Sequence, residues 1–136
     1  MSIRRKAREN TLQILYRLGV NQGDLPVVFE EFWKANPCHR DIREFTEKLV
    51  SGTWERREEI DREISGNLTD WNLERLSQVD RNILRAAAYE ILFCPDIPSK
   101  VSINEALEIA RRFSSPESVG FINGVLNNIM HLEKGE

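Results

Sequence analysis

Residues 78–93, QVDRNILRAAAYEILF, constrain the fold more than any other stretch. At about 100° per residue, Val79, Ile83, Leu84, Ala86, Ala87, Ala88, Ile91, Leu92 and Phe93 cover nearly the whole circumference of a helix. A helix that is apolar on all sides is the buried centre of a bundle. Other helices must surround it, and the remaining sequence supplies them.

Breaks fall at Gly19 to Gly23, Asn36-Pro37, Ser65-Gly66-Asn67, Cys94 to Pro98, and Ser114-Ser115-Pro116. They leave six or seven helical segments. From Arg4 to Leu18, Ala7, Thr11, Ile14, Leu15 and Leu18 share one face. Leu25 to Ala35 presents Val28, Phe29, Phe32 and Trp33. A single helix is predicted from Asp41 to Ile64, with Ile42, Phe45, Leu49, Thr53, Ile60 and Ile64 near one stripe. Its run ERREEIDRE places opposite charges three and four residues apart, as a solvated face does. LTDWNLERL is read as a short helix capped by Thr69 or Asp70. SINEALEIARRF is read as opening with a capping box, Ser102-x-x-Glu105, and burying Ile103, Ala106, Leu107, Ala110 and Phe113. The last helix takes Ser115 as its cap and Pro116 as its first residue. Ile122, Val125, Leu126 and Ile129 form its core stripe. The expected architecture is all-α, one domain over 1–136, a compact bundle of about seven helices. A chain of 136 residues can bury roughly two thirds of its unfolded surface, enough for a core without staples.

The motifs of common catalytic chemistry are missing. There is no P-loop, GxGxxG, GxSxG, HExxH or zinc-ribbon spacing. Cys38 and Cys94 stand 56 residues apart, and His39 and His131 are isolated. No metal, no cofactor and no catalysis are expected. No apolar run approaches the ~20 residues of a membrane span. The N-terminus starts with basic residues rather than a signal-peptide apolar region. A cytoplasmic protein without membrane attachment is therefore expected.

Charge is unevenly placed. Residues 1–17 hold five cations and one acid, a net of +4, whereas the whole chain is at −3, so the remainder carries −7. Four of the cations, Arg4, Arg5, Lys6 and Arg8, lie in SIRRKAREN. On a helix, Arg5 and Tyr16 fall about 20° apart and Arg8 about 60° from Arg5, while Lys6 and Arg17 point to the opposite side. Cations at a helix start oppose the macrodipole by ~0.3–1 kcal/mol each. A compensating anion would offset that cost. Cations beside an aromatic suit single-stranded nucleic acid, with phosphate on Arg and a base on the ring. Half-buried packing of Tyr16 and ordinary surface cations remain the other reading.

GFINGVLNN is the second candidate. Phe121 lies about 80° from the centre of the last helix's apolar stripe, and Gly120 and Gly124 lie round the same side. A glycine costs up to ~1 kcal/mol in a helix interior. Close helix packing across the glycines is the favoured reading, and a ring open to a base or a partner is the other.

Four ordered stretches together resemble the NusB family of bacterial transcription antitermination factors: RRKAREN and LQILY within 4–16, WNLERLSQVDRNILRAAAYEI at 71–91, IPSKVSINEALEIARRF at 97–113, and FINGVLNNI at 121–129. Residues 19–65 match loosely. The resemblance implies an all-helical fold of two packed helical subdomains. It implies binding to single-stranded boxA RNA of ribosomal RNA transcripts. It also implies a heterodimer with NusE, a small-subunit ribosomal protein, and entry into the elongating RNA polymerase complex. It places RNA contacts at Arg4, Arg5, Lys6 and Arg8, stacking surfaces at Tyr16 and Phe121, and polar groups near RNA or NusE at Asp80, Arg85 and Glu117. Gly120 stands where many relatives carry Lys, and only three residues precede Arg4. Both departures imply weaker intrinsic RNA affinity. A protein-interaction module, whose basic end meets an acidic partner, is the competing class. NusB-like domains also precede the catalytic part of some RNA cytosine methyltransferases, but residues 1–136 contain no Gly-rich cofactor loop. A monomer and a homodimer both stay open.

Overall fold

The computed structural model describes residues 2–21, 23–68 and 73–133. Among these there are seven α-helices, one 3-10 turn and no strand. The helices are α1 (Ile3–Asn21), α2 (Leu25–Ala35), α3 (Arg40–Glu55), α4 (Arg57–Ser65), α5 (Gln78–Phe93), α6 (Ser99–Phe113) and α7 (Pro116–Glu133), with the turn at Leu73–Arg75. The expected caps Thr69 and Asp70 lie outside the described residues. The chain divides into two units, Met1–Glu55 and Arg56–Glu136.

In the first unit α1 packs mainly on α3 and also on α2. Ala7, Ile14, Leu15 and Leu18 are buried, the face that the sequence pattern assigned inward. Ser2 starts α1: its Oγ accepts the Arg5 N–H at 3.0 Å, satisfying one of the unpaired donors of the first turn. Pro26 near the start of α2 gives up an N–H that the helix does not need. Phe32 and Trp33 of α2 meet edge to face at 5.2 Å between ring centroids. The Trp33 indole N–H donates to Glu47 Oε2 of α3 at 2.8 Å, so a buried ring keeps its polar edge satisfied.

In the second unit α5 packs against α4, α6 and α7, and α6 packs on α7. Ten residues of α5 are buried, consistent with a central helix. Three of them, Asp80, Asn82 and Glu90, are polar, and Val79 at its start is 37% exposed. The apolar cover is thus less complete at the N-terminal end than the pattern suggests. Ile60 and Ile64 of α4, and Ile122, Leu126 and Ile129 of α7, are fully buried.

The helix expected over 41–64 is broken at Arg56, which adopts φ −106° and ψ 18°. Residues 55–59 read ERREE, so no apolar side chain between Trp54 and Ile60 holds the helix on a packed face. The Arg56 guanidinium instead lies 4.5 Å from the Phe93 ring centroid, a cation–π contact. The stripe hides the break because Thr53 and Ile60 are seven residues apart, a spacing that drifts only about 20° on a continuous helix.

The expected capping box at Ser102 is also absent. Here α6 starts earlier, at Ser99, with Pro98 in the capping position. Ser102 is 1% exposed inside the helix, and its hydroxyl donates to Glu90 Oε1 of α5 at 2.7 Å. A tertiary bond to a buried carboxylate has claimed the side chain that looked like a cap. Phe113, expected in the core, is 53% exposed, with the Arg112 guanidinium 5.0 Å from its ring centroid. It occupies the last position of α6, where the helix leaves its packed face.

Candidate nucleic-acid interface

The four N-terminal cations have different surroundings. Arg4 and Arg8, one helical turn apart, both lie over the ring of Phe45 on α3, at 4.6 and 5.6 Å from its centroid. Arg4 is exposed at the edge of a shallow groove of about 430 Å³, which Ile3, Asp41, Glu44, Phe45 and Lys48 also line. Arg8 is only 6% exposed. Arg5 is exposed and Lys6 half-buried. Arg17, on the opposite side, pairs with Glu31 of α2 at 2.6 Å. Tyr16 is 50% exposed, so its ring is open to a stacking partner. The sequence pattern places Phe45 only on a core stripe; its role as a platform for two cations has no signature within its own helix.

The second unit holds a groove of about 250 Å³ between the turn preceding α5 and the start of α7. Arg75, Leu76, Ser77 and Asp80 line one side, and Ser115, Glu117, Ser118 and Phe121 the other. Phe121 is half-buried, Glu117 exposed. Two helices begin here, each with a serine cap: Ser77 Oγ accepts the Asp80 N–H at 3.1 Å, and Ser115 Oγ accepts the Ser118 N–H at 3.1 Å. The groove therefore joins one aromatic ring, one cation and two carboxylates at two helix N-termini.

Asp80 is 7% exposed. Its Oδ1 accepts the Ser114 hydroxyl at 2.5 Å and its Oδ2 the Ser118 hydroxyl at 2.7 Å. Arg85 makes a bidentate pair with Asp61 of α4, Nε to Oδ1 at 2.7 Å and Nη2 to Oδ2 at 2.8 Å. Thus Phe121, Glu117 and Asp80 share one groove, while Arg85 is not among its lining residues. The serines that organise this groove come from separate segments and form no single cluster in the sequence. The pattern Ser77-x-x-Asp80 was a readable cap signal, but Ser114 and Ser118 join Asp80 only through the tertiary fold.

Gly120 and Gly124 do not mediate close packing. A Cβ added at either would meet nothing within 4 Å. The glycine side of α7 faces open space. No group of three His, Cys, Asp or Glu among the described residues could hold a metal ion. Both cysteines are free, Cys94 buried and Cys38 half-buried. Among the described residues no helix is long and apolar enough to cross a membrane.

The family model that matches this chain is that of the NusB family, over residues 5–131. The chain is 45% identical to the transcription antitermination protein NusB of Trichlorobacter lovleyi over 136 residues, all of this chain and 96% of the relative. Among solved structures it resembles T. maritima NusB, with a TM-score of 0.85 and 38% identity over 93% of this chain and 89% of the other. It also resembles a chain of the crystal structure of antitermination factors NusB and NusE in complex with dsRNA, with a TM-score of 0.87 and 27% identity over 97% and 98% of the two chains. The all-helical fold, the family-model match and the identity across nearly the full length agree: the chain belongs to the NusB family.

Proposed function

We propose that this chain is a transcription antitermination factor that binds single-stranded boxA RNA of ribosomal RNA transcripts together with NusE and joins the elongating RNA polymerase complex. The observation that carries the reading is the groove at the start of α7, where the half-buried ring of Phe121 lies with the exposed carboxylate of Glu117. A ring supplies a stacking face to an unpaired base, and a carboxylate accepts hydrogen bonds from base edges. Family membership supports the RNA and the partner, since a NusB of the same fold has been crystallised with NusE and dsRNA. In the first unit, exposed Arg5 supplies phosphate contact and exposed Tyr16 a second stacking surface. Arg4, Lys6 and Arg8 add positive potential around the helix start. The protein acts as an adaptor, without catalysis.

The test is a titration of boxA RNA against a scrambled strand of the same length, with and without NusE. Preference for boxA, strengthened by NusE, is expected. Phe121→Ala should cost ~1–3 kcal/mol of RNA binding, the worth of one stacked base. Equal, weak binding of both strands in the presence of NusE would remove the boxA reading.

A further inference from the structure

Resting on the RNA reading of Phe121, we infer that Asp80 is a positioning residue for RNA binding: a buried carboxylate that fixes the first turn of α7, and so Glu117 and Phe121, without itself touching RNA.

The hydrogen-bond directions are consistent around the whole cluster. The Ser115 hydroxyl donates to Ser118 Oγ at 3.1 Å, leaving the Ser118 proton to point at Asp80 Oδ2. The Ser114 hydroxyl proton points at Oδ1. Each carboxylate oxygen therefore receives one hydroxyl, and both donors come from the α6–α7 junction. Ser114 is the C-cap of α6, extended at φ −133° and ψ −171°, and Ser118 lies in the first turn of α7. One side chain on α5 thus ties both ends of the short connection. Glu117 is the neighbour of Ser118, and Phe121 follows it by three residues, on nearly the same face of the helix. Any rotation of that first turn moves the ring. With 7% of its surface exposed and a hydroxyl on each oxygen, Asp80 has little left to offer a base edge. Its backbone N–H, held by Ser77, pins the carboxylate's own helix start as well.

The experiment compares Asp80→Asn, Ser118→Ala and Phe121→Ala, alone and in pairs, using the full chain, boxA RNA and amide hydrogen exchange without RNA. Asp80→Asn and Ser118→Ala should each weaken RNA binding by roughly three- to tenfold, the scale expected when a contact group is misplaced rather than deleted. Both should speed exchange of the amides at 118–122. In the Phe121→Ala background each should weaken binding by less than it does alone, because only Glu117 is then left to be positioned. Ser118→Ala carries no charge change, so it keeps the test open if Asp80→Asn folds poorly. A loss for Asp80→Asn with none for Ser118→Ala would indicate a direct RNA contact and overturn the inference. Losses that add fully to that of Phe121→Ala would overturn it too, leaving the ring's role intact. Unchanged affinity in Phe121→Ala alone would instead overturn the ring's role, and the inference with it.

Discussion

The guanidinium of Arg8 sits 5.6 Å from the centroid of Phe45, and Arg8 is 6% exposed. It belongs to the packing of α1 on α3 rather than to the open surface. Arg5, three residues earlier, is exposed. The two arginines should therefore separate by readout. Arg8→Ala should lower unfolding stability by about 1–2 kcal/mol, through the lost cation–π contact and the lost packing of its stem. Arg5→Ala should leave stability within about 0.5 kcal/mol. It should instead lower the slope of log K against log salt for boxA RNA by roughly one unit, if it neutralises one phosphate. Urea unfolding and salt-dependent titration of both variants check this.

Arg85 and Asp61 are joined by two hydrogen bonds, with side chains 19% and 28% exposed. Bidentate geometry adds to the energy of such a pair, and partial exposure screens it. Arg85→Ala should destabilise the protein by roughly 1–3 kcal/mol, since a partly buried carboxylate loses both its donors. Asp61→Ala should cost a similar amount, and the double variant should cost clearly less than both losses together. A double-mutant cycle by denaturant unfolding measures the coupling. Full additivity would mean that the pair is not formed in solution.

Gly120 and Gly124 lie inside α7 without a packing reason, because an added Cβ at either meets nothing within 4 Å. Ala at each position should stabilise the protein by ~0.5–1 kcal/mol. Gly120→Lys places a cation beside Phe121. It should retain most of that gain and raise the salt dependence of boxA binding by about one unit, reporting one new phosphate contact. Thermal unfolding and RNA titration of the three variants separate the two effects.

Ser102→Ala should be costly although it removes a single oxygen. The hydroxyl donates to Glu90, which is 2% exposed at the centre of the second unit. Loss of a donor to a buried carboxyl group costs about 1.5–3 kcal/mol. Had Ser102 been the cap of α6, the same substitution would have cost nearer ~1 kcal/mol and frayed only the helix start. The size of the loss, with exchange rates along α5, distinguishes these roles.

The contrast between Ser102 and Ser115 shows how far the sequence carries. Ser115 caps α7 as read, because a cap followed by Pro116 is a local signal whose partner is three residues away. Ser102 carries the same kind of local signal, but its partner is twelve residues away on another helix. Periodicity located all the long helices, since burial of one face is written every third or fourth residue. It could not register the Arg56 break, where charged residues leave the pattern silent. At the candidate site, Tyr16 and Phe121 stood out as aromatics off the core stripe. The groove around Phe121 did not, because it forms where Ser77, Asp80, Ser114 and Ser118 converge from separate segments. The split among the N-terminal cations was equally hidden, since it depends on Phe45 of α3.

Thr53 supplies the opposite case to Ser102. It is 1% exposed on α3, and its Oγ1 has no hydrogen-bond partner among the described residues. A hydroxyl taken out of water without a partner costs roughly 1–3 kcal/mol by mutational measures. Valine has nearly the same shape and carries a methyl group in place of the hydroxyl. Thr53→Val should therefore stabilise the protein, by about 1 kcal/mol, through removal of that penalty and addition of apolar burial. The gain should appear as a higher urea midpoint with an unchanged slope, because the surface exposed on unfolding stays the same. A loss of stability would show that the Thr53 hydroxyl is hydrogen-bonded in solution.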